Sequence, residues 1–238
     1  MRKWRKFLIV PTLLVLIPIG VRCFAPQHRP ANEPQYQGRY LSEWLSDPRV
    51  FFPDVEFVDE AGKEAVLAIG TNGLPYYLNW LCYEPSETRM TLREKLPQWI
   101  KRHHAVSNWL SDPAGWRAGY GYRGFEILGT NGVSAIPELT VMLNQTNKPY
   151  LSARALGVLS KIGPQAIPVL KSALDNTNRT DRWKIAAMLR YMGNNGYSNT
   201  CGPILVESLS DHDPEVREQV AKALERWSPH LLTNLPAN

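Results

Sequence analysis

Cysteine is scarce: three in 238 residues, at Cys23, Cys82 and Cys201. That number and scatter exclude a disulfide framework and any C-x-x-C zinc spacing. Cys82 lies in the apolar run NWLCYE and reads as a small core residue. One Cys82–Cys201 bond stays open, because pairing depends on Cα separation. No G-x-S-x-G motif and no phosphate loop occurs, so nucleophile-elbow hydrolases and P-loop enzymes drop out. Segments of strict polar/apolar alternation are also missing, which argues against a sheet protein. Acidic residues are absent from the first 24 positions, whereas Arg2, Lys3, Arg5, Lys6 and Arg22 all fall there. The other 22 basic side chains balance 22 acidic ones, so the net +5 and the pI of 9.1 belong to the leader. The remainder has no net field to draw nucleic acid, and none is expected as a partner.

What the leader does have is a positive start, MRKWRK, followed by FLIVPTLLVLIPIGV without a charge. This is the layout of a signal or signal-anchor. At about 1.5 Å per residue the run reaches roughly 23 Å, short of a hydrocarbon core of roughly 30 Å; extension to Phe24 with a snorkelling Arg22 brings it to roughly 27 Å. Pro11 and Pro18 weaken the helix. The poor cleavage sites favour an uncleaved single-pass anchor over residues 1–24, inserted through 7–24; secretion after cleavage is the alternative. In GVRC, Arg22 stands where a lipoprotein signal needs a small residue. The flanking charge keeps the N-terminus in the cytoplasm and sends the rest across the membrane. Residues 25–39 hold three prolines and read as a flexible spacer.

From 40 to 236 the chain repeats itself. GVSAIPELTVML (132–143), GPQAIPVLKSAL (163–174) and TCGPILVESLSD (200–211) share one theme, with NGLPYYLNWL (72–81) as a looser copy. Pro75, Pro137, Pro168 and Pro203 are 62, 31 and 35 residues apart. The doubled first interval implies a degenerate slot or an insertion, at about 84–111. Each proline follows a glycine turn: IGTNG, LGTNG, IGPQ and MGNNG. Glycine and asparagine end a helix in the left-handed region and proline opens the next, so helix, tight turn, helix is expected. The stripes Leu156–Leu159–Ile162 and Trp183–Ala187–Leu189–Met192 have helical spacing. Asp213-Pro214 opens a last helix with Val216, Val220, Leu224 and Trp227 on one face, and Asp112-Pro113 looks like a comparable start. SEWLSDP at 42–48 and SNWLSDP at 107–113 echo each other.

The run ARALGVLSKIGPQAIPVLKSALDN and the later SDHDPEVREQVAKALERW resemble HEAT or HEAT-like, phycobilisome-lyase-type, repeats. Asp213, Pro214, Val216, Arg217, Ala221 and Ala223 match that theme residue by residue. YQGRYLSEWL, AIGTNGLPYYLNWL and GFEILGTNGVSAIPEL are similar to a group of short bacterial HEAT-repeat proteins with an N-terminal membrane segment and no assigned activity. The resemblance implies an all-α, short right-handed solenoid with one N-terminal hydrophobic helix. Its expected work is that of a scaffold, because stacked helix pairs make extended faces. Chromophore or ligand handling of the phycobilisome-lyase type is the alternative.

Candidate chemistry is thin. Five histidines (28, 103, 104, 212 and 230) include no His-Glu step, unlike the iron-binding HEAT hydroxylases. His212 in DHDP is explained by helix capping, and His103-His104 by a helix C-terminus. Gly119, Gly121 and Gly124 have dinucleotide-loop spacing but no strand leads into them; helix–helix contact explains them equally well. No catalytic residue, cofactor or metal is expected. The stretch ETRMTLREKLPQWIKRHH at 87–104 has the clearest local charge excess, with Met90, Leu92, Leu96, Trp99 and Ile100 offering an apolar side. Arg89, Arg93, Lys95, Lys101 and Arg102 are its candidate partner-binding residues, for a protein or an anionic lipid surface, against a plain solvated helix. Tryptophan and tyrosine exceed what a minimal repeat needs, and any left exposed would mark a binding patch.

Overall fold

A computed structural model describes residues 32–46, 60–84, 91–92, 94–103, 106 and 113–227, with only the backbone described at 113–116. The leader, residues 25–31 of the spacer, Arg89 and Arg93 lie outside the described residues. Two compact units share the chain: Pro34–Glu84 with Arg117–Asn238, and Met1–Glu33 with Pro85–Trp116. Among the described residues no helix is long and apolar enough to cross a membrane.

The larger unit begins with a hairpin, β1 (Gln35–Tyr36) antiparallel to β2 (Arg39–Tyr40), leading into α1 (Leu41–Leu45). The flexible spacer expected through residue 39 therefore gains structure at its end. Gln37 and Gly38 carry φ of 48° and 76°, which is what a tight two-residue hairpin turn needs. Trp44 anchors it: its Nε1 donates to the Tyr36 carbonyl at 3.2 Å, and the two rings lie 6.2 Å apart. Glu43 closes the helix start by accepting from the Tyr40 N–H at 3.0 Å.

Among the described residues the further helices are α2 (Glu60–Ile69) and α3 (Leu74–Leu81); α4 (Gln98–Lys101), in the smaller unit; and α5 (Pro113–Leu128), α6 (Ile136–Leu143), α7 (Pro149–Ile162), α8 (Ile167–Asp175), α9 (Arg182–Met192), α10 (Ser198–Glu207) and α11 (Pro214–Trp227). The fold is mostly helical, and helix packs on helix throughout the larger unit. Each tight turn uses a glycine in the left-handed region: Gly70, Gly129, Gly163 and Gly196, with φ of 58°, 51°, 101° and 102°. Pro75, Pro137 and Pro168 then sit in the first turn of α3, α6 and α8, where no intrahelical N–H is needed. Pro203 departs from this expectation. It stands inside α10, which opens at Ser198 because the chain becomes helical as soon as it leaves Gly196. Its side chain is exposed.

Within these proline-marked helices the burial register is regular. The second and sixth residues after the proline point into the core: Tyr77 and Leu81, Leu139 and Leu143, Leu170 and Leu174. Leu205 repeats the first position, and Leu209, half-buried, the second. The third residue after each proline, Leu78, Thr140, Lys171 and Val206, is half-exposed. Long helices bury complementary stripes. In α7 Leu156, Leu159 and Ile162 are buried as expected. In α9 Ile185 and Ala186 go inside with Leu189 and Met192, while Trp183 and Ala187 stay half-exposed. Ile185, Leu189 and Met192 make an i, i+4, i+7 stripe, and α7 and α11 both pack on α9.

GYGYRG lies within α5, not in a strand-to-helix loop. A Cβ on Gly121 would stand 2.7 Å from the Tyr77 carbonyl oxygen, and one on Gly124 would overlap the Tyr77 ring. These glycines let α5 and α3 approach closely, so α5 is the long helix that follows α3 in the stack. Tyr77 also meets Phe125 edge-on, with centroids 5.7 Å apart, and Trp80 meets Tyr120 at 6.1 Å.

Candidate functional site

Arginines, Arg179 and Arg182 buried and Arg154 half-buried, close three of the proline-marked helices. The last carbonyls of a helix lack intrahelical donors, and in three cases an arginine from further along the chain supplies one. Arg154 on α7 donates to Leu81 O at 3.0 Å and also to Tyr83 O. Arg179, just ahead of α9, donates to Leu143 O at 3.0 Å. Arg182, at the start of α9, donates to Leu174 O at 2.6 Å. Leu81, Leu143 and Leu174 hold the same place, six residues after their prolines. Arg182 also pairs through both terminal nitrogens with the Asp211 carboxylate, one bond measuring 2.8 Å. That partner holds the Asp211 carboxyl below its usual range. The sequence reading missed this system, because Arg154 and Arg179 reach carbonyls 73 and 36 residues away and no local motif marks them.

Arg179 forms one wall of a groove between α6 and α8, of about 540 Å³. Its guanidinium is held by Asp181, at 3.0 and 3.2 Å, and by Ser152 Oγ at 3.4 Å, so its charge is neutralised within the fold. The rest of the lining is amide, hydroxyl or apolar: Asn144, Asn176 and Thr146 beside Pro168, Val169 and Ala173. Such a surface offers both donors and acceptors and no unpaired charge. It suits the backbone of an uncharged, extended segment. Beside it, Lys171 bridges Asp175 at 3.0 Å and Glu207 at 3.1 Å, tying α8 to α10.

The expected binding stretch at 87–104 is described only in part. Lys95 and Arg102 are exposed and Lys101 half-exposed, on and around the four-residue α4. Of its apolar residues, Trp99 is 74% exposed and Leu92 37%, Leu96 and Ile100 are half-buried, and Met90 lies outside the described residues. Pro97 adopts extended backbone, φ −60° and ψ 150°, just before α4.

Other expected sites resolve into structure. Asp213 caps α11, its Oδ1 accepting from Glu215 N–H at 2.9 Å, while His212 is exposed. Cys82 is exposed just past α3, not in the core, because the chain turns outward there. Cys201 is buried and free, its thiol pushed up to about 11 by burial. Among the described residues no group of three His, Cys, Asp or Glu side chains is placed to hold a metal. Trp44, Tyr77, Trp80 and Tyr120 are core.

The architecture defines a class: tandem helix pairs stacked on shared neighbours. Residues 202–231, which cover the last six residues of α10 and all of α11, match the HEAT repeat model. No curated protein matches the chain.

Proposed function

We propose that the chain is a non-enzymatic protein-binding scaffold, held at or exported across a bacterial membrane by its leader. HEAT repeats generally mediate protein–protein interaction, and the match at 202–231 supports that reading. The observation that carries it is the α6–α8 groove, whose lining can hydrogen-bond a partner's backbone and holds its one arginine in internal ion pairs. The exposed basic stretch with Lys95, Lys101 and Arg102, in the smaller unit, would by itself attract an acidic partner region over long range. Proteins recovered from crosslinked membranes with the intact chain test this. Asn144→Ala with Asn176→Ala should reduce recovery of a specific protein at unchanged thermal stability. Recovery unaffected by these substitutions and by removal of the basic charges would reject the reading.

A further inference from the structure

Hydrogen bonding within the fold leaves the α6–α8 groove short of acceptors. At the end of α6 the Met142 carbonyl takes the Gln145 N–H at 3.2 Å, the Leu143 carbonyl takes Ser152 Oγ at 2.8 Å besides Arg179, and the Asn144 carbonyl takes the Thr146 N–H at 3.0 Å. At the end of α8, Arg182 fills the Leu174 carbonyl, and the backbone N–H of Arg179 fills that of Asn176 at 3.0 Å. Asn144 and Asn176 stand immediately after these helices and line the groove. Each spends its side-chain oxygen internally: Asn144 Oδ1 accepts from the Arg179 guanidinium at 3.4 Å, and Asn176 Oδ1 from the Asn178 N–H at 3.1 Å. A guanidinium and a backbone N–H only donate, so each amide is held in one orientation. Their NH2 groups find no acceptor among the described residues. Thr140, whose hydroxyl proton goes to the Ile136 carbonyl at 2.7 Å, keeps an acceptor oxygen, and the Ser172 and Thr146 hydroxyls can act either way.

Charge narrows the ligand further. Arg179 is neutralised by Asp181, and Lys171 beside the groove is outnumbered by Asp175 and Glu207. A carboxylate or phosphate therefore meets repulsion and no unpaired cation on the described lining. The fitting ligand is uncharged, rich in carbonyls and poor in N–H groups. Proline has a carbonyl and no N–H, and in the polyproline helix no carbonyl is spent internally. Pro168, Val169 and Ala173 offer an apolar wall to pyrrolidine rings. We propose that the α6–α8 groove receives an uncharged, proline-rich segment of the protein partner in the extended polyproline conformation. An ordinary segment is disfavoured, because its N–H groups leave water to face amide donors. This inference rests on the scaffold reading above and gives the partner's chemistry.

Fluorescence anisotropy of the full chain in detergent micelles, with labelled decaproline as the probe, tests it. Decaproline should bind at least about tenfold more tightly than an uncharged peptide of equal length built from alanine, serine and glycine. A copy with two prolines replaced by glutamate should bind more weakly than decaproline. Asn144→Asp with Asn176→Asp keeps both internal acceptors and removes the NH2 donors, so it should weaken decaproline by at least about tenfold while circular dichroism stays that of the wild type. Equal binding of the proline and non-proline peptides to the wild-type chain overturns the proposal, and that comparison does not depend on the variant folding. Unchanged decaproline affinity in the folded variant, or tighter binding of the glutamate copy, overturns it as well. If Asn144→Ala with Asn176→Ala loses a protein recovered from crosslinked membranes while decaproline does not bind, the scaffold reading stands and the proline-rich ligand is rejected.

Discussion

The Tyr77 ring occupies the space that a Cβ on Gly124 would need. This pair sets the approach of α5 to α3, since the Tyr77 carbonyl also faces Gly121 on the same side. Gly124→Ala should destabilise by about 1–3 kcal/mol despite alanine's better helix propensity, because a buried tyrosine has to shift. Urea unfolding checks it, and a stabilised variant would contradict the contact.

Tyr77 is fully buried and its hydroxyl has no hydrogen-bond partner. Burial pushes its ionisation above the usual tyrosine range. Tyr77→Phe removes an unsatisfied group without opening a cavity, so stability should stay within about 1 kcal/mol or rise. Alkaline absorbance titration should show one late-ionising tyrosine missing from the variant.

The Arg182–Asp211 pair is almost fully buried. Asp211→Asn leaves the guanidinium without its counter-charge and should cost about 3 kcal/mol at neutral pH. The Asp211 carboxyl is depressed in the folded state, first by the Arg182 bond. Its contribution is therefore complete above an unfolded value near about 3.9 and is lost as pH falls through the lower folded one. Denaturation midpoints measured from pH 7 down to 2 should fall more steeply for the wild type than for the variant.

Replacing Arg89, Arg93, Lys101 and Arg102 with Gln should shift stability by less than about 0.5 kcal/mol. Partner recovery should weaken, most at low salt, where screening is least. Unfolding with recovery intact would make this stretch structural.

A periplasm-active reporter fused after Asn238 should be active, because four positive charges precede the hydrophobic run. Activity from a cytoplasmic reporter alone would reject both the anchor and the signal-peptide versions.

Much of this fold was legible from local physics. Glycine in a turn and proline in a first turn are constrained by their own backbones, so Gly70, Gly129 and Gly163 with Pro75, Pro137 and Pro168 marked the helix pairs without reference to neighbours. Asp213 as a cap follows equally from its position before Pro214. Pro203 misled because an internal proline on an exposed face is tolerated, and only the position of Gly196 located the true start of α10.

The candidate site was the least legible part. The α6–α8 groove joins Thr146 and Asn144 to Asn176, about thirty residues away, and none is distinctive in sequence. Arg154, Arg179 and Arg182 belong to no motif in the sequence; their reach to Leu81, Leu143 and Leu174 requires the stacked helices to bring carbonyl and guanidinium together. The sequence by itself determined the helices, their turns and the repeat, because those depend on backbone preference and apolar period within a few residues. Only the tertiary structure decided which charges were sequestered and which surface was left to bind, because burial and pairing are properties of neighbours that the chain places in space.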